Sequence, residues 1–342
     1  MAPALLRLAL RAASTAYRCA VSIRNRRYDL ARCEIHRPPV PVVSVGNLTV
    51  GGTGKTPMVE WLSRRLREQG ARVAILSRGY GAEQGGLNDE ALELELALAD
   101  VPHLQNPDRA ASAEIAVEEL ASQILVLDDA FQHRRLARDL DIVLLDASEP
   151  FGFGYLLPRG LLREPLAALA RADVVVLSRA DMIDAAARQA IRRRVESLAP
   201  RSLWCEVVHR PAGLTDSQGG AYPLSELQDK RVAAFCGIGN PAGFRHTLSA
   251  LGCRLVGWRE FPDHHDYDRH DVERLAHDLR QSGAELAVCT RKDLVKLRTG
   301  SLGGVPLRAL AVELQFLEGE PRLLSALQPL VERARAVEPP WL

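Results

Sequence analysis

The chain has 342 residues, a formal net charge of +1, and a composition that is 47% apolar but only 5% aromatic. That length allows two domains, and the near-neutral charge argues against a general nucleic-acid binder, which would be clearly basic. The cysteines are scattered without a Cys-x-x-Cys pair, so neither a zinc site nor a disulfide framework is expected. A reducing cytosolic setting fits best, and no apolar stretch is long enough to span a bilayer.

Residues 1–36 form a separate basic segment at the N-terminus. Residues 1–37 contain eight arginines against two acidic residues. On a helix, Arg7, Arg11 and Arg18 fall within a sector of about 40°. The opposite side is apolar and consists of Leu5, Ala9, Ala12, Ala16 and Ile23. This pattern predicts an amphipathic helix that faces an anionic membrane surface, and a surface helix packed on the core is the alternative.

A glycine-rich loop follows the first strand pattern, residues 42–45. The loop reads Gly51-Gly52-Thr53-Gly54-Lys55-Thr56 and leads directly into a helical pattern. Strand, glycine loop and helix N-terminus together collect N–H groups around phosphate oxygens, Lys55 adds a charge, and Thr56 offers a hydroxyl to magnesium. Thr49 occupies the position of the first glycine in the strict P-loop pattern, so this loop is a variant that we expect to bind a nucleoside triphosphate.

Strand and helix patterns alternate after the loop. The further strand patterns cover residues 72–77, 124–127, 141–146 and 172–177, and the helical patterns cover residues 89–98 and 110–121. This alternation predicts an α/β fold with a doubly wound, mostly parallel sheet in a P-loop core, residues 37–215.

A second, smaller Rossmann-like α/β domain is predicted over residues 216–342. It begins after a polar, glycine-rich stretch at 217–222. Its strand patterns cover residues 232–236 and 287–290, and a helical pattern covers residues 242–251.

Two aspartates end the strand pattern at residues 124–127. Carboxylates at this position, Asp128 and Asp129, can hold Mg²⁺ opposite the hydroxyl of Thr56, and an ordinary turn after a strand is the alternative. His133 follows closely, but a lone histidine is more often structural, and this run alone does not decide its role.

The run Phe261-Pro262-Asp263-His264-His265-Asp266-Tyr267 concentrates histidines and aspartates on one loop. It can be a metal site, an acid–base pair or a solvated loop, although its spacing does not match a zinc pattern. A carboxylate–histidine pair would be an acceptable base for a sugar hydroxyl.

These motifs together resemble the tetraacyldisaccharide 4′-kinase (lipid A 4′-kinase) family of Gram-negative bacteria. The matching runs are Val45–Pro57, Ser77–Gly81, Leu127–His133, Leu157–Gly160, Arg163–Pro165, Phe261–His265 and Thr290–Asp293. They occur in order from about residue 37 to residue 296 and so cover most of the chain.

The resemblance implies transfer of the γ-phosphate of ATP, with Mg²⁺, to the 4′-hydroxyl of a tetraacyl glucosamine disaccharide 1-phosphate. It implies two Rossmann-like domains with the active site between them, and a peripheral protein on the cytoplasmic face of the inner membrane. Lys55 is expected to act on the phosphates, and Asp89, paired with His264, to activate the hydroxyl. Further candidates for contacts with phosphate or substrate are Arg78, His133, Arg159 and Arg163. We expect a monomer that does not bind nucleic acid.

The chain departs from the family pattern at three positions. Alanine follows Asp89-Glu90 and Asp128-Asp129, where the family has proline and glycine, and Arg291 replaces a glutamate. The carboxylates remain, so the chemistry is expected to survive. The alternative function is that of a P-loop ATPase acting as a switch or assembly factor, which usually carries a lysine where this chain has Val50.

Overall fold

The strand that precedes the glycine loop, β1 (Val42–Asn47), lies inside a parallel sheet. The structure is a computed structural model that describes residues 2–79 and 89–337. The described chain forms two units. The first contains residues 2–79, 98–208 and 316–337, and the second contains residues 89–97 and 209–315.

The first unit has a parallel sheet in the order β7-β6-β5-β1-β4-β2-β3. Besides β1, its strands are β2 (Val73–Ser77), β3 (His103–Gln105), β4 (Ile124–Asp128), β5 (Leu140–Asp146), β6 (Val174–Ser178) and β7 (Leu203–Thr215). β1 lies between β4 and β5, and every residue of these three strands is buried. Because β1 lies in the middle of this parallel sheet, the loop after β1 lies at the centre of the carboxyl edge of the sheet.

Helices cover this sheet. They are α1 (Ala2–Asp29), α2 (Lys55–Glu68), α4 (Arg109–Glu118), α5 (Ala185–Leu198) and α9 (Glu320–Arg335). Met58, Leu62 and Leu66 recur at helical spacing and bury one face of α2. α2 ends where Gly70 adopts a φ of 82°, a left-handed conformation that favours glycine.

The second unit has a smaller parallel sheet in the order β10-β9-β11-β13. These strands are β9 (Arg231–Cys236), β10 (Arg254–Glu260), β11 (Leu286–Thr290) and β13 (Val305–Glu318). Two short antiparallel strands, β8 (Ala221–Tyr222) and β12 (Ser301–Leu302), pair with β7 and β13. The helices are α3 (Asp89–Ala97), α6 (Pro241–Ser249), α7 (Arg269–Ser282) and α8 (Arg291–Leu297).

The side chains of β9 alternate between two apolar clusters. Val232 and Ala234 pack in the cluster that contains Phe244 of α6, whereas Ala233 and Phe235 pack with Leu275 of α7. Successive side chains of a strand point to opposite faces, so β9 contributes apolar side chains to both faces of the sheet. The predicted α/β class with mostly parallel sheets is therefore confirmed.

The units interleave along the chain, whereas the sequence predicts consecutive domains. The chain leaves the first unit within β7 and returns within β13, and neither strand was expected from the sequence. After β13, α9 packs in the first unit by burying Leu323, Leu327 and Val331. The C-terminal helix therefore completes the P-loop unit.

The basic N-terminal segment is helical, as predicted, and it packs on the core through a side that lies outside both the arginine sector and the apolar sector of the sequence pattern. Tyr17 and Val21 lie on the face toward the core, whereas Leu8, Ala12 and Ile23 are exposed. Arg7, Arg11 and Arg18 are exposed as well. In the described part of the chain, no helix combines the length and apolarity that crossing a membrane requires.

We predict that Gly46→Ala destabilises the first unit. A Cβ on Gly46 would lie 2.7 Å from both the Cβ and the backbone nitrogen of Phe131, so β1 and the segment after β4 would have to separate. Overpacking of this kind costs about 1–3 kcal/mol in the free energy of unfolding, which urea denaturation measures. Gly300→Ala is the control, because its Cβ would meet only the Ser217 hydroxyl at 3.8 Å. Equal stability of the two variants would contradict this account of Gly46.

Candidate active site

The glycine loop forms an anion cradle between β1 and α2. Gly51 and Gly54 adopt φ values of 105° and 85°, and a Cβ on Gly51 would meet no atom within 4 Å. Inside the loop, Asn47 Nδ2 donates to Thr53 Oγ1 at 2.9 Å, and both side chains are buried. The first turn of a helix has N–H groups without intrahelical acceptors, and α2 presents this turn at the end of the loop. The loop therefore has the form of a phosphate-binding site.

Two cations converge on Asp129 beside this loop. Lys55 Nζ lies 3.6 Å from Asp129 Oδ1, and Arg163 Nη1 donates to Oδ1 and Oδ2 at 2.8 Å each. Asp129 has a φ of 48°, which turns the chain sharply after β4. Three of the predicted site residues are thus together in the structure.

Lys55 and Arg163 favour the ionised form of Asp129. Burial alone would raise the pKa of this carboxyl, but Lys55 and Arg163 outweigh it and lower the pKa to about 2. Because this pKa is lower than in an unfolded chain, the ion pairs stabilise the fold above about pH 4. That contribution is lost only as the pH falls toward 2, so Asp129 is ionised at every physiological pH.

Arg109 fixes the backbone of the two aspartates and was not predicted from the sequence. Its Nη2 donates to the carbonyl of Asp128 at 2.6 Å, and both Nη1 and Nη2 lie 3.3 Å from the carbonyl of Asp129. Burial lowers the pKa of Arg109, the charges of Asp128 and Asp129 oppose this shift, and Arg78 adds to it. An arginine in the first turn of α4 gives no sequence signal for this role.

The other phosphate candidates differ in their surroundings. Burial, assisted by Arg109 and Arg138, lowers the pKa of His133 to about 4, so this imidazole is neutral at physiological pH. Arg78 is exposed, close enough to Arg109 to affect its pKa. Arg159 instead stacks on the ring of Tyr155, with its guanidinium carbon 3.4 Å from the ring centroid.

Arg163 reaches Asp129 from a loop that pairs with residues 48–50, directly before the glycine loop. We call residues 152–164 the arginine loop. In this loop, Arg163 N donates to the Leu48 carbonyl at 2.7 Å, and the Leu161 carbonyl accepts from Val50 N at 2.8 Å. Gly160 allows the tight turn, because a Cβ there would lie 2.3 Å from the Tyr155 carbonyl oxygen. The arginine loop therefore forms one wall of the phosphate cradle.

In the second unit, His264 and His265 have different environments. His265 Nε2 lies 2.6 Å from Asp271 Oδ2, its ring stacks on Phe261, and its carbonyl accepts from Lys296 Nζ at 3.1 Å. His264 has a φ of 59°, and its side chain is 46% exposed. His265 anchors the loop, whereas His264 projects toward solvent.

A buried carboxylate, Asp293, joins the histidine loop (residues 261–267) to its neighbours. Its Oδ1 accepts from Tyr267 Oη at 2.7 Å and from Gly237 N at 2.9 Å, and its Oδ2 accepts from Thr290 Oγ1 at 2.6 Å. Burial raises the pKa of Asp293, and its hydrogen bonds from Thr290, Tyr267 and Gly237 oppose this shift. Thr290 and Asp293 also form the capping box of α8. The Thr-Arg-Lys-Asp run is thus a structural anchor of this loop.

Asp89 is the first residue of α3, which packs against α8 in the same unit. Its side chain lies outside the part of the chain that the structure describes, as do Tyr80 and Gly81 of the Ser77–Gly81 run. Asp89 and His264 therefore belong to one unit, and Lys55, Asp128 and Asp129 belong to the other.

Comparison with known proteins gives a consistent result. The family model of tetraacyldisaccharide-1-P 4′-kinase matches residues 6–332. A tetraacyldisaccharide 4′-kinase of Anaeromyxobacter sp. (strain K) is 41% identical over 346 residues, covering 96% of this chain and 91% of that protein. The enzyme of the same name from Syntrophus aciditrophicus (strain SB) is 39% identical over 343 residues, covering 92% of this chain and 89% of its own length.

A solved structure is similar as well. The crystal structure of the apo form of LpxK from Aquifex aeolicus in complex with ATP has a TM-score of 0.73 and 31% sequence identity, covering 95% of this chain and 99% of that one. Family model, relatives and fold agree over nearly the whole chain. The chain therefore belongs to the tetraacyldisaccharide 4′-kinase family, and it is an ATP-dependent kinase of lipid A biosynthesis.

Proposed function

We propose that the 4′-kinase reaction uses the first unit to hold ATP and the second to activate the sugar hydroxyl of a tetraacyl glucosamine disaccharide 1-phosphate. The convergence of Lys55 and Arg163 on Asp129 beside the glycine loop supports this proposal most directly. Phosphoryl transfer depends mainly on positioned charge, and this cluster provides it. Lys55 and the loop N–H groups bind the β- and γ-phosphates, with His133 and Arg78 as neighbouring contacts.

Hard oxygen donors beside the loop fit a magnesium ion. Thr56 lies in the first turn of α2, and Asp128 ends β4, where it pairs in register with Val45 of β1. Both side chains are buried. Because Asp129 already engages two cations, we assign the metal to Thr56 and Asp128, with Asp129 holding Lys55 and Arg163 beside them. Magnesium, when bound with ATP, neutralises phosphate charge and orients the oxygens.

The acceptor hydroxyl is activated by Asp89, which His264 orients. The 4′-oxygen forms a bond to the γ-phosphorus, the bond from that phosphorus to the bridging oxygen of ADP breaks, and Asp89 takes the hydroxyl proton. The exposed side chain of His264 on an anchored loop supports this assignment. A carboxylate oriented by a second polar group is an effective base for a hydroxyl.

Transfer of radiolabel from [γ-³²P]ATP to the lipid disaccharide 1-phosphate tests the reaction. We expect one labelled lipid product per ADP formed, because the γ-phosphoryl group moves to the sugar. Thin-layer chromatography with matched ADP measurement shows both products. Release of inorganic phosphate without labelled lipid would contradict the proposal and favour a P-loop ATPase.

We predict that Asp89→Ala lowers kcat by about 10²–10⁴-fold, the usual contribution of a general base, with little change in the KM for ATP. ATP binds in the other unit, so its affinity does not depend on this carboxylate. Glu95→Ala is the matched control, because Glu95 is an exposed acid on the same helix. Turnover of the Asp89→Ala enzyme within a few-fold of the control would show that Asp89 is not the base.

The outer side of α1 fits attachment to the inner membrane. Leu8 and Ile23 are each 63% exposed, and Arg7, Arg11 and Arg18 are exposed beside them. Apolar side chains flanked by arginines are suited to the boundary of an anionic bilayer. Since ATP is a cytoplasmic substrate, we place the protein on the cytoplasmic face. The monomeric state stays a prediction that sedimentation velocity can check.

We predict that replacing Arg7, Arg11 and Arg18 together with glutamate releases the protein from phosphatidylglycerol vesicles. Each basic residue near an anionic surface contributes about 1 kcal/mol, so three reversals weaken binding by at least about 10²-fold. Co-sedimentation with vesicles measures the effect. Glutamate at Arg193, Arg194 and Arg201, which are exposed elsewhere, gives the same change in net charge as a control. Equal loss of binding in both variants would show that net charge, and not α1, determines attachment.

A further inference from the structure

The inner face of α1 contacts the arginine loop at three points. Ser14 Oγ donates to the Leu156 carbonyl at 2.9 Å, and Tyr17 Oη donates to the Arg163 carbonyl at 3.0 Å. Arg24 Nη2 pairs with Glu164 Oε1. These residues lie more than 130 positions apart in sequence, so only the folded chain brings the helix to this loop.

Glu164 gives the contact its strength. Its side chain is completely buried, and its second oxygen accepts from Arg171 Nη2 at 2.6 Å. The guanidinium of Arg171 in turn lies over the ring of Phe131, 4.4 Å from the ring centroid. Phe131 follows Asp129 by two positions in the chain. Removing one partner of a buried carboxylate is destabilising, and Arg24 is one of two arginines that pair with Glu164.

Arg163 is consequently fixed from three directions. Its carbonyl is bound by Tyr17, its N–H donates to Leu48 beside the glycine loop, and its guanidinium grips both oxygens of Asp129. A shift of the arginine loop by even about 1 Å would change the position of the guanidinium relative to Asp129 and Lys55. Misplacement on this scale at a catalytic site can cost about 10²-fold in rate.

We infer that the inner face of α1 is part of the nucleotide site, where Tyr17 and Arg24 are positioning residues for Arg163. This role is separate from the proposed contact of the outer face with lipid. The inference rests on the proposed roles of Arg163 and Asp129 at the phosphates. It means that an N-terminal deletion removes two functions at once, because one face of the helix meets lipid and the other holds the arginine loop.

The test measures kcat with substrate dispersed in non-ionic detergent micelles, where attachment to an anionic surface does not limit turnover. We expect Tyr17→Phe to lower kcat by about 2–10-fold, equivalent to one hydrogen bond, with the KM for lipid unchanged. Arg24→Gln should lower it by up to about 10²-fold, the cost of misplacing a catalytic group by about 1 Å, and Arg24→Lys should recover most of the loss. Thr15→Val is the control, because this exposed hydroxyl donates to the Arg11 carbonyl one turn earlier on the same helix.

A double-mutant cycle separates positioning from general stability. If Tyr17 acts through Arg163 on Asp129, then Tyr17→Phe has no further effect on kcat in an Asp129→Asn enzyme, whereas a merely structural role gives additive losses. Full activity of folded Tyr17→Phe and Arg24→Gln enzymes, or additive losses in the cycle, would overturn the inference. An unchanged kcat in Asp129→Asn alone would instead contradict the proposed ATP site. Circular dichroism melting confirms that each variant is folded.

Discussion

The ion pairs of Asp129 with Lys55 and Arg163 are the interaction on which the proposed phosphate site depends. They join the start of α2, the turn after β4 and the arginine loop, which are far apart in the sequence. Each segment alone is a polar loop that would prefer water. The ionised carboxylate contacts both cations and so joins the three segments in one arrangement. Preorganised charge is what phosphoryl transfer requires.

In the second unit, buried polar contacts hold the histidine loop, which carries His264 and His265. Asp293 accepts hydrogen bonds from the loop, from the turn after β9 and from the first residue of the α8 capping box. His265 is bound to Asp271 and stacked on Phe261. These buried polar contacts leave His264 as the exposed histidine of the pair. Fully satisfied polar networks of this kind specify one loop conformation.

The N-terminal helix has two sides of different chemistry. Its outer side carries exposed arginines, leucines and Ile23, and its inner side carries Tyr17 and Arg24 against the arginine loop. The sequence indicates an amphipathic helix because arginine and alanine occupy opposite sectors. It could not indicate the docked face, which lies beside the arginine sector and is partly polar.

The sequence by itself determined the P-loop, the α/β class and most of the central strands, because these depend on local patterns such as glycine spacing and β-branched runs. It also placed Lys55 and Asp129 in one site through the geometry of parallel strands. Only the tertiary structure decided the roles of Arg109 and Glu164, the return of the chain through β13, and the distinction between His264 and His265. Those features depend on contacts between distant residues, and burial or a hydrogen-bond partner across the fold has no local signature.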